Sequence, residues 1–169
     1  FDTWIDPRAG WRPRLSINPF NELIDAFSYA PRPSRCNCIW SGSCADRFFA
    51  IGPDSNVGLC DCWVTSLPEF VFGNLQSQSL EEIAQSPVRA KLRQRIETIL
   101  AGDCADCDFL GVCFGGCIIR SYGHYGTLRE KDPYCKAYRA LFTRVQQHVR
   151  SVQPPGERYV DFQKRAASA

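Results

Sequence analysis

The sequence has little of what marks membrane, secreted or nucleic-acid-binding proteins. It contains 169 residues, and none of its apolar runs approaches the roughly 20 residues that cross a bilayer. The N-terminus lacks the basic, apolar and cleavage-site segments of a secretory signal. The 20 Lys and Arg residues are scattered and nearly balanced by 18 Asp and Glu residues, which leaves a net charge of +2. We therefore predict a soluble, cytoplasmic protein that binds neither a membrane nor nucleic acid.

Methionine is also missing, and the sequence begins at Phe1. We interpret these two features as signs that the chain is part of a longer protein. The composition, with 44% hydrophobic and 22% charged residues, is typical of a globular protein. The length allows one ordinary domain or two small ones, so a modest hydrophobic core can form.

Cysteine is abundant: the chain has ten, and five of them lie within residues 103–135, where a Gly- and Tyr-rich loop separates Cys117 from Cys135. A reducing cytoplasm keeps thiols free, and closely spaced cysteines in that compartment serve metal binding or redox chemistry. We therefore interpret this segment as a cradle for a metal cluster. A disulfide-rich secreted domain is an alternative, which a count of free thiols in the unreduced protein would test.

Two short helices are predicted before the main group of cysteines. The first begins at Asn18-Pro19 and ends before Pro31. Its apolar face comprises Phe20, Leu23, Ile24 and Phe27. The second begins at a capping box, in which Ser79 and Glu82 satisfy each other's backbone amides. Both helices are expected to pack against the core.

Two longer helices flank the cysteine-rich segment. One runs from Ser86-Pro87 to Gly102, and its apolar stripe comprises Val88, Leu92, Ile96, Ile99 and Leu100. Its basic residues are Arg89, Lys91, Arg93 and Arg95, which we interpret as a solvated face. The other opens at Asp132-Pro133 and carries Cys135 in its first turn.

A β-hairpin is predicted between the two groups of cysteines. Residues 47–51 and 57–62 are β-prone, and residues 52–56 are rich in turn formers. Residues 68–78 have no steady period and are predicted to be irregular. The fold class is therefore α+β, a small cysteine-rich domain with a β-hairpin and peripheral helices.

Thiolates bind zinc and iron-sulfur clusters alike, so spacing alone does not identify the metal. If Cys36 and Cys62 are set aside, eight of the ten cysteines remain, which is two complete sets of four. The glycine pair in segment 113–117, Cys-Phe-Gly-Gly-Cys, favours iron-sulfur clusters because backbone amides could approach the inorganic sulfides. The alternative is a zinc-stabilised interaction module without a redox role, which would be colourless and indifferent to air.

These eight cysteines follow the pattern Cys38-x5-Cys44-x15-Cys60 and Cys104-x2-Cys107-x5-Cys113-x3-Cys117-x17-Cys135. Over residues 36–142 this pattern resembles the SPASM domain, the C-terminal auxiliary-cluster domain of radical S-adenosylmethionine (radical SAM) enzymes that modify peptides and proteins. The resemblance implies two 4Fe-4S clusters. Cluster I would be held by Cys38, Cys44, Cys60 and Cys117. Cluster II would be held by Cys104, Cys107, Cys113 and Cys135.

The sequence departs from the family pattern in two places. Where the family has a glycine five residues before the third cysteine, this chain has Ser55, with Asn56 and Gly58 nearby to supply the turn. Cys36 and Cys62 fall outside the set of eight. Each of them either replaces its neighbour as a ligand or remains a buried thiol.

The chain also lacks the CxxxCxxC motif that holds the radical-generating cluster in the barrel of such enzymes. Its only CxxxC is Cys113 to Cys117, and the place three residues beyond is Arg120. The resemblance therefore implies that this chain alone does not cleave S-adenosylmethionine. That cosubstrate and a third 4Fe-4S cluster would bind to a barrel in the same polypeptide or in a partner chain.

The resemblance also implies a division of the chain and a role for it. Residues 1–35 would bridge to the barrel, residues 36–151 would form the SPASM domain, and residues 152–169 would be a flexible tail. The expected role is electron transfer and substrate docking in the maturation of a peptide or protein. Its partners would be the barrel, the peptide or protein substrate and an electron donor or acceptor protein.

Overall fold

The structure, a computed structural model, describes residues 1–9, 15–28, 40, 42, 44–61 and 67–152. Within them, eight helices accompany a small sheet: α1 (Asp2–Ile5), α2 (Phe20–Ser28), α3 (Cys44–Arg47), α4 (Leu80–Ala84), α5 (Pro87–Ala101), α6 (Leu110–Cys113), α7 (Ile118–Tyr125) and α8 (Cys135–Val152). Short 3-10 turns cover Pro7–Ala9 and Pro68–Phe70. The predictions for Cys36, Cys38 and Cys62, for the helix end before Pro31 and for the tail beyond Val152 lie outside the described residues.

The four helices predicted from the sequence are present. Helix α2 begins where Asn18-Pro19 predicts, and it buries Leu23 and Phe27. Helix α4 has the predicted capping box, since the Glu82 amide donates to Ser79 Oγ (3.2 Å) and the Ser79 amide donates to Glu82 Oε2 (2.7 Å). Helix α5 ends at the Gly102 cap, and α8 begins at Cys135.

The sheet has three antiparallel strands in the order β1 (Ala50–Ile51), β2 (Asn56–Gly58) and β3 (Val71–Asn74). The predicted hairpin is confirmed, although its strands are shorter than expected. The prediction that residues 68–78 are irregular was wrong, because β3 pairs with β2 and aligns Gly73 with Val57. Gly73 lies so close to helix α4 that a Cβ atom there would be 2.9 Å from Ile83 Cγ1, and this explains a glycine in a strand.

Two separate hydrophobic cores organise the helices and the sheet. The first joins α2, α6 and α8, and its buried residues are Leu23, Phe27, Trp40, Phe109, Val112, Phe142, Val145 and Val149. The second joins the sheet to α4, α5 and α7, and its buried residues are Ala45, Val57, Leu59, Phe72, Ile83, Leu92, Ile118 and Ile119. The cysteine-rich segment between α5 and α8 contributes to both cores, so it links the two halves of the fold.

The segment between Cys117 and Cys135 is a helix in its first part, where we predicted a Gly- and Tyr-rich loop. Helix α7 buries Ile118, Ile119 and Ser121, and it ends at Gly126, which has a left-handed φ of 69°. Isoleucine at two successive positions provides the apolar anchor, and glycine supplies the helix end that residues with a Cβ disfavour.

The interpretation of the basic residues on α5 as a solvated face was also wrong for two of them. Arg89 and Arg95 are only 7% and 5% exposed, whereas Lys91 and Arg93 are exposed. Burial is tolerated because the guanidinium groups find backbone acceptors; that of Arg89 donates to the carbonyls of Ala45 (2.8 Å), Ala84 (2.7 Å) and Asp46 (3.1 Å).

Among the described residues, no helix combines the length and the apolar character required to span a bilayer.

Candidate metal centre

Four cysteines that the sequence predicts to act together line one cavity, here called cavity II. They are Cys104, Cys107, Cys113 and Cys135. The rest of the wall comes from apolar residues such as Phe109, Leu110 and Phe142, together with Lys131, Asp132 and Arg139. Thiols that are distant in sequence therefore meet in a largely apolar environment.

Short turns and helix ends bring these four thiols together. The Cys107 amide donates to the Cys104 carbonyl (3.1 Å), so the Cys-x-x-Cys segment is a tight turn directly after α5. Cys113 is the last residue of α6, and the Gly116 amide donates to its carbonyl (2.9 Å). Cys135 is the first residue of α8, and its amide donates to the Asp132 carbonyl (2.9 Å).

Burial and repulsion from neighbouring cysteines raise the pKa of two thiols of cavity II, Cys113 and Cys104. Burial, together with smaller contributions from the neighbouring Cys135, Cys104 and Cys107, raises the pKa of Cys113 to about 12. Burial also raises the pKa of Cys104, with smaller contributions from Cys107 and Cys135. The thiols are thus close enough to repel one another as thiolates, and a bound cation would relieve that repulsion.

Three cysteines of the other predicted set line a second cavity, here called cavity I. Cys44 begins α3, Cys60 follows β2, and Cys117 precedes α7. The cavity has a volume of about 330 Å³, and its other lining residues are mainly apolar. Cys38, the fourth predicted ligand of cluster I, lies outside the described residues.

The packing of the two hydrophobic cores separates five of the cysteines in the same way. Cys107 and Cys113 pack against the first core, whereas Cys44, Cys60 and Cys117 pack against the second. Cys117 is near Cys113 in sequence, yet it faces the other core. The chain therefore crosses from one cysteine set to the other between these two residues.

A buried carboxylate lies next to this crossing and holds the backbone there. Asp132 is 1% exposed, and it accepts hydrogen bonds from the amides of Cys117 (2.8 Å) and Tyr134 (2.9 Å). It also forms an ion pair with Arg120 (2.5 Å), whose guanidinium lies over the ring of Tyr134. From its position in the sequence, Asp132 was predicted only to start a helix. Its buried ion pair could not be inferred without knowing that α7 and α8 are neighbours.

The two glycines of segment 113–117 have left-handed φ values of 76° and 73°. A Cβ atom on Gly115 would lie 2.9 Å from Ile99 Cγ2, and one on Gly116 would lie 2.8 Å from Asp132 Oδ2. We predicted that these glycines admit backbone amides to a cluster. The contacts indicate a further reason, because only glycine lets this turn approach α5 and Asp132 so closely.

The family's glycine position before the third cysteine has a similar explanation. Ser55 adopts a left-handed φ of 66° in the turn between β1 and β2. Ser55 itself therefore forms the turn. Asn56 and Gly58, which we expected to supply it, both belong to β2. A serine here bears a conformational cost that a glycine would not.

The donors of both cavities fit an iron-sulfur cluster in their chemistry, since thiolate is the ligand that such clusters use. Cavity II has a volume of about 20 Å³, room for about one water molecule, so its thiols would have to move apart around a cluster. In the part of the chain that the structure describes, no three His, Cys, Asp or Glu side chains are close enough to hold one metal ion. A polynuclear cluster binds each thiolate on a different iron and does not require such convergence on one point.

The fold and the two cysteine-lined cavities define a cysteine-rich α+β domain. Residues 35–108 match the family model of the SPASM domain, described as an iron-sulfur cluster-binding domain. The SPASM resemblance is thus confirmed. The matched segment includes Cys104 and Cys107, whereas Cys113, Cys117 and Cys135 lie beyond its end.

Two curated relatives match most of this chain. A cysteine-type anaerobic sulfatase-maturating enzyme from Clostridium perfringens is 24% identical over 142 residues, which cover 84% of this chain and 36% of that enzyme. An uncharacterized protein from Archaeoglobus fulgidus is 28% identical over 134 residues, which cover 76% of this chain and 30% of that protein. The chain thus spans about a third of the length of the curated relatives that it matches.

The fold also matches solved structures. The structure of native anSMEcpe with bound AdoMet has a TM-score of 0.64 and 22% sequence identity, and the match covers 90% of this chain and 41% of that chain. The same protein with bound AdoMet and the Cp18Cys peptide has a TM-score of 0.65 at 22% identity, with the same coverage of both chains. The predicted α+β fold class is therefore confirmed.

Proposed function

We propose that this chain is the C-terminal auxiliary-cluster domain of a radical SAM enzyme that modifies a peptide or protein. The domain would span residues 36–151, with residues 1–35 bridging to the barrel and residues 152–169 as a tail. The match to the SPASM family model supports the domain type. One relative is named a sulfatase-maturating enzyme and one solved neighbour contains a bound peptide, which supports a peptide or protein as substrate.

The proposed function includes two 4Fe-4S clusters. Cluster II would be held by Cys104, Cys107, Cys113 and Cys135, and cluster I by Cys38, Cys44, Cys60 and Cys117. The single observation that carries this proposal is the sorting of seven described cysteines into two cavities, four in one and three in the other. When bound, such clusters supply one-electron transfer. Cys36 and Cys62 would serve as alternative ligands or remain spare thiols.

The chain's own residues would hold the ligands in place and limit access of water. Asp132 fixes the amide of Cys117, while the Asp132 carbonyl accepts from the amide of Cys135. Phe109, Leu110 and Phe142 line cavity II. These apolar walls lower the local dielectric and make the charge of a bound cluster more sensitive to nearby dipoles and cations.

The remaining components would come from outside this chain. A radical SAM barrel, in the same polypeptide or a partner chain, would bind S-adenosylmethionine and the third 4Fe-4S cluster. An electron donor or acceptor protein would exchange electrons with the auxiliary clusters. Reduced thiols are required for all three clusters, so the proposed location is the cytoplasm.

Metal analysis of the anaerobically reconstituted full-length protein tests this proposal. Each auxiliary cluster should contribute about four irons and about four sulfides. The double variant Cys104→Ala/Cys107→Ala should lose one such set, and Cys44→Ala/Cys60→Ala should lose the other. Brown colour that bleaches in air would accompany the clusters. Bound zinc without sulfide at these cysteines, in a colourless protein stable in air, would overturn the proposal and favour a zinc-stabilised interaction module.

A further inference from the structure

Arg95 is a buried cation with an unused hydrogen-bond donor. Its Nη2 donates to the carbonyls of Gly115 (3.1 Å) and Glu130 (3.0 Å), and the residue is 5% exposed. Its Nε has no hydrogen-bond partner among the described residues. A buried donor without an acceptor is costly, so its persistence points to a partner that the protein alone does not supply.

The surroundings of Arg95 connect both groups of cysteines. Its acceptor Gly115 lies between Cys113 of cavity II and Cys117 of cavity I. Arg95 also lines a small cavity together with Cys44, the first described cysteine of cavity I. Burial lowers the pKa of the Arg95 guanidinium, and attraction to Cys117, Cys44 and Cys104 opposes that effect. Cysteines of both cavities are therefore near enough to attract this charge once they are thiolates.

The charge of Arg95 has no carboxylate of its own in the described part of the chain. Among the described residues, Asp132 is the one carboxylate that attracts it appreciably, more weakly than the three cysteines would as thiolates, and Asp132 is already paired with Arg120 at 2.5 Å. A guanidinium remains charged at any physiological pH, and an uncompensated buried charge is strongly unfavourable. A cluster bound by four thiolates has a net charge of about −2, which would supply the compensation.

We propose that Arg95 supplies the positive charge that compensates both auxiliary clusters. It raises their reduction potentials and stabilises the clusters when they are bound. This inference rests on the proposed function. A nearby cation favours the more negative, reduced form of a cluster, so its removal should lower the potential.

The test compares Arg95→Gln with Arg95→Lys in the full-length protein, reconstituted anaerobically. Redox titration followed by electron paramagnetic resonance measures the cluster potentials, and iron and sulfide are counted in parallel. We expect Arg95→Gln to lower the potentials of both auxiliary clusters and Arg95→Lys to restore most of the shift; a shift confined to one cluster would contradict the shared role. Lys91→Gln is the matched control, because Lys91 lies on the same helix but is exposed and lines none of the cavities that contain cysteines; it should leave the potentials unchanged.

The possible outcomes separate charge compensation from a purely structural role. If Arg95→Gln fails to load clusters while Arg95→Lys loads them with potentials close to wild type, the charge is required and the inference stands. Full loading of Arg95→Gln with unshifted potentials would overturn it. Failure of both variants to load would also overturn it, since the backbone hydrogen bonds would then be what matters. Absence of iron and sulfide from the wild-type cavities would instead contradict the proposed function.

Discussion

The carboxylate of Asp132 accepts a hydrogen bond from the backbone amide of Cys117 at 2.8 Å. The same residue accepts from the amide of Cys135 through its carbonyl, at 2.9 Å. Cys117 lines cavity I and Cys135 lines cavity II. One buried residue thus holds the backbone of a cysteine from each cavity.

Replacement of this carboxylate should destabilise the fold. Asp132→Asn keeps the size of the side chain but removes the charge that pairs with Arg120 and receives the Cys117 amide. Because the pair is buried on the Asp132 side and partly exposed on the Arg120 side, we expect a loss of about 2 to 4 kcal/mol in the free energy of unfolding. Urea unfolding followed by circular dichroism measures it.

Asp103→Asn provides the matched control for this variant. Asp103 also forms a salt bridge, with Lys131 at 2.7 Å, but its side chain is 70% exposed. Solvent screens such a pair, so the loss should be much smaller than for Asp132→Asn. Equal effects of the two substitutions would show that the buried network around Asp132 has no special importance.

Substitution of Gly116 should be far more harmful than substitution of Gly126. Both residues have left-handed φ values, but a Cβ atom on Gly116 would meet Asp132, whereas one on Gly126 would meet nothing within 4 Å. We expect Gly126→Ala to cost about 1 kcal/mol, from backbone conformation alone. Gly116→Ala should cost about 3 kcal/mol or more, since it adds a clash with a buried side chain. Similar losses in thermal or urea unfolding would contradict the close packing of this turn.

Ser55→Gly is expected to stabilise the protein. Ser55 occupies a left-handed conformation that L-residues with a Cβ adopt at a cost of about 1 to 2 kcal/mol, part of which glycine loses again through its flexibility in the unfolded chain. The net gain should be about 0.5 to 1 kcal/mol in the free energy of unfolding. Ser55→Ala retains the Cβ and serves as the control. A gain with alanine equal to that with glycine would exclude the conformational explanation.

Local patterns in the sequence were sufficient to predict much of the fold. The apolar spacing of α2 and α8, the capping box at Ser79 and the Gly102 cap all depend on interactions between near neighbours. The resemblance to the SPASM pattern groups the described thiols in the same way as the two cavities do. The ligand sets themselves stay predictions.

The features that were missed depend on partners distant in sequence. Strand β3 exists because β2 offers it an edge, and Asp132 becomes buried only when α7 and α8 meet. The burial of Arg89 and Arg95 had a signal: each is three residues from Leu92, so all three share a helix face. Their charge nevertheless favoured an exposed face, because the backbone carbonyls that accept from both arginines could not be foreseen from the sequence.

Iron counting in cysteine double variants tests most directly whether Cys117 crosses to the other cluster. In the reconstituted full-length protein, Cys117→Ala should remove about four irons, and Cys44→Ala/Cys117→Ala should remove no more, because both residues would serve cluster I. Cys107→Ala/Cys117→Ala should remove about eight, since each residue would serve a different cluster. If that last variant loses no more iron than Cys107→Ala alone, Cys117 belongs with its sequence neighbours and the assignment of two crossed clusters is wrong.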